Sequence, residues 1–70
     1  DVKRAVDLFQ QAVAADDGWA MNNLAALYEQ GWGVKPDLVK ARELYAKAAA
    51  LGVAVAETNI RRLSKTAPSP

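Results

Sequence analysis

Displacing the chain against itself by 36 residues pairs Asp1 with Asp37, Ala5 with Ala41, Leu8 with Leu44, Ala12 with Ala48, Ala14 with Ala50, Ala20 with Ala56, Asn23 with Asn59 and Leu27 with Leu63. Val2 with Leu38, Asp7 with Glu43, Phe9 with Tyr45 and Leu24 with Ile60 keep the chemistry without the identity. A period of this length marks a repeat architecture, in which a unit buries its apolar face only against its neighbours. A chain of 70 residues holds about two such units and one small core.

Each unit reads as two helices. Val2, Ala5, Val6, Phe9, Ala12 and Val13 form one apolar stripe at i, i+3, i+4, i+7, i+10 and i+11, with Asp1 placed to cap it, so a helix is expected to about Ala15. The Asp16-Asp17-Gly18 cluster breaks it, with Gly18 expected to take the turn. A second helix is expected over about Gly18 to Gln30, packing through Ala20, Asn23, Leu24, Leu27 and Tyr28. Gly31 to Pro36 then reads as a loop, and Asp37 as the cap of a third helix over about Leu38 to Leu51. Gly52 stops that helix, and Ala54, Ala56, Asn59, Ile60 and Leu63 drive a fourth. The fold class is therefore all-α, about four helices in a short α/α solenoid. Its expected division is 1–15, 18–51 and 53–64 within one domain of residues 1–64, followed by a flexible tail at 65–70. Glu43 with Lys47 and Glu57 with Arg61 are spaced to pair along their helices.

Composition narrows function. Fifteen of the residues are Ala and only five are aromatic, so the helices must lie close together. With no Cys and no His, thiol nucleophiles, disulfides, zinc–thiolate sites and the commonest general base are missing, and Asp16 and Asp17 have no partner acid at a useful spacing. No catalytic residue, cofactor or metal site is expected. The longest uncharged apolar run, Ala48 to Ala56, is far short of the roughly 20 residues a membrane helix needs. Residues 1–34 carry two basic and five acidic groups (net −3), and residues 35–70 carry seven and three (net +4). The basic half is interrupted by Glu43 and Glu57, which argues against nucleic acid as the partner. Beginning at Asp1, the chain reads as an excised or processed fragment, compatible with cytoplasm or bacterial periplasm.

The run A-M-N-N-L-A-A-L-Y-E-Q-G-W-G-V-K-P-D-L-V-K-A-R-E-L-Y-A-K-A-A-A-L-G, Ala20 to Gly52, resembles the Sel-one-like repeat, a branch of the tetratricopeptide-like helical repeats. With the half repeats on either side, the resemblance covers about residues 1 to 63. It implies an α/α solenoid acting as an adaptor that holds other proteins, often in exported or signalling proteins of bacteria. Asp16 stands where that pattern has its stop glycine, and Leu44 where it has an aromatic. Arg61 is the counterpart of Ala25, and Ser64 of Tyr28, so the fourth helix is expected to be a C-terminal cap with a polar outer face. The first helix looks like the second helix of a repeat whose first is missing, which leaves apolar surface open to weak self-association.

A protein or peptide is the expected partner. Trp19, Asn22, Ala26, Glu29 and Gln30 fall on the face of the second helix left over by its packing stripe, with Val55, Thr58, Arg62 and Lys65 as their neighbours on the fourth. Trp19 would anchor a peptide and Asn22 would hold its backbone, or else Trp19 simply caps the packing beneath it. Trp32, in the G-x-G-V loop, is either an exposed contact or folds back over the corner between the second and third helices. Asn23 and Asn59 recur on packing faces and read as architecture. The competing reading of the whole chain is a structural capping or dimerising segment of a longer array with no ligand of its own.

Overall fold

The computed structural model describes residues 1–66, which form four α-helices: α1 (Val2–Ala14), α2 (Gly18–Gln30), α3 (Leu38–Ala50) and α4 (Ala54–Thr66). All four have 13 residues, and each packs on the next in chain order, as stacked helix pairs require. The expected tail begins too early, because α4 continues through Lys65 to Thr66. Its remaining part, residues 67–70, lies outside the described residues.

Side-chain carboxylates start the first three helices by accepting orphan backbone N–H groups. Asp1 accepts from Lys3 N, Asp17 from Trp19 N and Ala20 N, and Asp37 from Lys40 N at 3.0 Å. Helix α2 ends on Gly31 at φ 74°, whose N–H reaches Leu27 O at 2.7 Å.

The turn between α1 and α2 differs from expectation. Asp16 itself takes the left-handed conformation at φ 62°, the role its counterpart Gly52 fills at φ 93°. Gly18 is instead the first residue of α2, and a Cβ there would lie 2.9 Å from Val53 Cγ2. Its bare backbone lets the start of α2 approach the α3–α4 corner. Asp tolerates the left-handed region better than most residues but still at a cost. Asp16→Gly is therefore expected to stabilise by about 0.5 kcal/mol and raise Tm by a few degrees. A lower Tm in a thermal melt would show that the Asp16 side chain holds the turn.

One core runs through the molecule. It includes Val6 of α1, Leu24 of α2, Tyr45 of α3 and Leu63 of α4, with Val53 from the last corner. At its contacts Ala25, Ala41, Ala48 and Ala56 are all 0% exposed, so the helices meet over methyl groups. Tyr45, 1% exposed, is the largest fully buried side chain. The repeat is carried unevenly: Leu44 is 7% exposed, while its counterpart Leu8 on α1 is 58% exposed. The first face is open where the second is covered. The expected Glu43–Lys47 and Glu57–Arg61 pairs are not closed to ion-pair distance; the ion pair among the described residues joins Arg62 to Glu29.

Candidate functional site

Helix α2 is the central element, and its burial spans more than one stripe. Ala20, Met21, Asn22, Leu24 and Ala25 are all buried, because α2 packs on α1 and α3 and also makes polar contacts with α4. Two expectations are corrected here. Asn22, expected in the binding groove, is only 9% exposed, and its Oδ1 accepts from Asn59 Nδ2 at 3.0 Å. Asn23, expected on a packing face, is exposed.

Asn22 belongs to a circuit that ties three helices together. Glu29 Oε1 accepts from Tyr45 Oη of α3 at 2.9 Å and from Arg62 Nη2 of α4 at 2.9 Å, while Glu29 Oε2 accepts from Arg62 Nη1. Arg62 Nη2 also reaches Asn59 Oδ1 at 3.3 Å, which returns the chain of bonds to Asn22. The paired guanidinium and carboxylate fix geometry in two directions at once. Glu29 is thus a strut, not an open contact, and Arg62 is held by it.

The electrostatics follow from this arrangement. The hydrogen bond from Arg62 holds the Glu29 carboxyl below its ordinary range, against the opposing effect of burial. Burial first, and then the bond to Glu29, push the Tyr45 hydroxyl up to about 12. For Glu29 the lowered value means stability that is present above the ordinary carboxylate pKa and lost as pH falls through the folded value. For Tyr45 the raised value means stability that is present below pH 10 and lost as pH rises toward 12, where the unfolded phenol ionises first. Urea midpoints are expected to fall over that alkaline interval by an amount equivalent to roughly 2 kcal/mol, and to fall less in Tyr45→Phe. Equal slopes for the two proteins would remove Tyr45 as the cause.

What stays open on α2 is a strip at i, i+4, i+7 and i+11: Trp19, Asn23, the half-buried Ala26 and Gln30. Trp19 is 62% exposed at its first turn. Thr58 lies exposed on α4, the neighbour to which Asn22 and Glu29 bind, and Arg62 presents the outer part of its side chain there. Trp32 is 59% exposed in the loop after α2. The structure thus places Thr58 and Arg62 along one recess of α4, leaves the two tryptophans near opposite ends of α2, and withdraws Asn22 and Glu29 into the scaffold. The one helical clue to Asn22 was its place beside Met21 on the second buried flank. A single-stripe reading overlooks that flank.

Among the described residues no three His, Cys, Asp or Glu side chains converge on a point that would hold a metal ion, and no helix is long and apolar enough to cross a membrane. A capped series of equal helices, close-packed over alanine and stacked in chain order, defines an α/α repeat scaffold. The Sel1 repeat family model matches residues 1–17 and 20–53, and the chain belongs to that family. Sel1 repeats are in general protein-interaction units. Neither the curated proteins nor the solved structures give a match.

Proposed function

We propose that this chain is a non-catalytic adaptor module that binds a protein or peptide along the open strip of α2, with Trp19 as its anchor. The supporting observation is an indole left 62% exposed on a helix whose other flanks pack on α1 and α3 and bond to α4. An exposed aromatic on a rigid element supplies contact area at little entropic cost, and such residues dominate interface energies. Ala26 keeps the strip shallow beside it, Thr58 and the outer edge of Arg62 supply polar contacts from α4, and Trp32 offers a second aromatic beyond the end of α2. Asn22 and Glu29 act behind this surface by fixing α2 against α4.

The competing reading, a structural or dimerising segment, draws on the exposed Val2 and Leu8 of α1. Retention of proteins from a lysate of the source cells by the immobilised chain separates the two. The adaptor reading expects a protein held by the parent and lost, by tenfold or more in affinity, with Trp19→Ala at unchanged helicity. Equal retention by both, together with a dimer in sedimentation that Leu8→Glu dissolves, would favour the structural reading.

A further inference from the structure

The internal repeat says what α4 presents to anything stacked upon it. Thr58, Arg61, Arg62 and Lys65 are the counterparts, 36 residues on, of Asn22, Ala25, Ala26 and Glu29. On α2 those positions carry the next helix: Asn22 meets Asn59, and Glu29 meets Arg62. On α4 the charge is reversed. Lys65 replaces the carboxylate of Glu29, and Arg61 replaces the fully buried Ala25. Both are exposed, and neither has an acidic partner among the described residues. Thr58, Arg61, Arg62 and Lys65 line one recess along the helix.

We infer that this face of α4 docks an acidic amphipathic helix of a partner protein, held by side-chain bonds as Asn59 and Arg62 hold α4 to α2, but with carboxylates opposite Lys65 and Arg61. This surface adjoins the α2 strip proposed above, sharing Thr58 and Arg62 with it, and rests on that reading. Charge complementarity selects the occupant. Where Arg62 of the incoming helix meets Glu29, the incoming helix on α4 must bring an acid to Lys65. An apolar helix would leave the two cations buried and unpaired. Ile60, the counterpart of Leu24, packs against the core and is only half-buried, so part of it stays open beside the cations. A nucleic acid fits less well, because the cations span only about one helical turn beside Glu57 and the whole chain carries +1, too weak a field to track a phosphate backbone.

The probe is a synthetic 14-residue amphipathic peptide with Glu at i, i+4 spacing beside Leu, titrated into the ¹⁵N-labelled chain. Its Gln-for-Glu analogue and a 12-nucleotide oligouridylate are titrated in parallel. Amide shifts confined to Thr58, Arg61 and Lys65, at least tenfold weaker binding of the Gln analogue, and a further tenfold loss in Arg61→Gln/Lys65→Gln at unchanged helicity are expected. Absence of shifts, equal binding of the two peptides, or tighter binding of the oligouridylate at the same residues would overturn the assignment. Trp19→Ala is expected to bind the acidic peptide normally, so failure here and failure of the α2 strip are read on different variants.

Discussion

Tyr45→Ala is expected to leave the chain largely unfolded at 25 °C. The ring is 1% exposed at the centre of the only core the described residues build, and its hydroxyl bonds Glu29. Removing a buried aromatic costs about 3–5 kcal/mol, before the lost hydrogen bond is counted. The entire stability of a domain this size is of the same order, roughly 0.05–0.15 kcal/mol per residue. Far-UV circular dichroism should show the helical signal mostly gone. Tyr45→Phe keeps the ring, costs only about 1 kcal/mol, and leaves Glu29 paired with Arg62. A Tyr45→Ala variant melting cooperatively within about 5 °C of the parent would mean that the ring is not what joins α3 to its neighbours.

Ala25→Leu is the second large effect, with the opposite cause. Ala25 has 0% exposure, as do Ala41, Ala48 and Ala56, so helix contacts in this molecule are set by methyl groups. Three added carbons at a position with no spare volume force the helices apart or a side chain off its rotamer. The expected loss is about 2–3 kcal/mol, or more than 10 °C in Tm. Ala46→Leu, on the exposed side of α3, is the control and should change Tm by no more than a few degrees. If the two variants melted together, the alanine contacts would be loose and the close-packed account of the repeat would fail.

Much of this architecture was legible because repeats state their packing twice. Capping by Asp1 and Asp37, the Gly31 stop and the limits of α2 follow from local chemistry that neighbours cannot easily override. Arg61 stands out in sequence because the first copy has Ala25 there, and it is exposed. The site was less legible, for a physical reason. A helix touching one neighbour has one stripe, but α2 engages three, so its buried arc takes in Met21 and Asn22 and turns Asn23 outward. The 36-residue register aligned Asn23 with Asn59, whereas the hydrogen bond joins Asn59 to Asn22. Repeat register shows which residues are equivalent, not which ones touch. Glu29 shows the same limit, since an acid on an apparent groove face becomes a strut once Arg62 and Tyr45 reach it from other helices.

The central claim is a division of labour on α2, in which Asn22 and Glu29 hold the scaffold while Trp19 is left over for a partner. The thermal melt of Trp19→Ala tests it most directly. A residue 62% exposed and free of scaffold duty should leave Tm within about 3 °C of the parent, the range of ordinary surface substitutions. A fall of 8 °C or more would show that the indole covers the packing beneath it, and the binding surface would have to be sought elsewhere on the molecule.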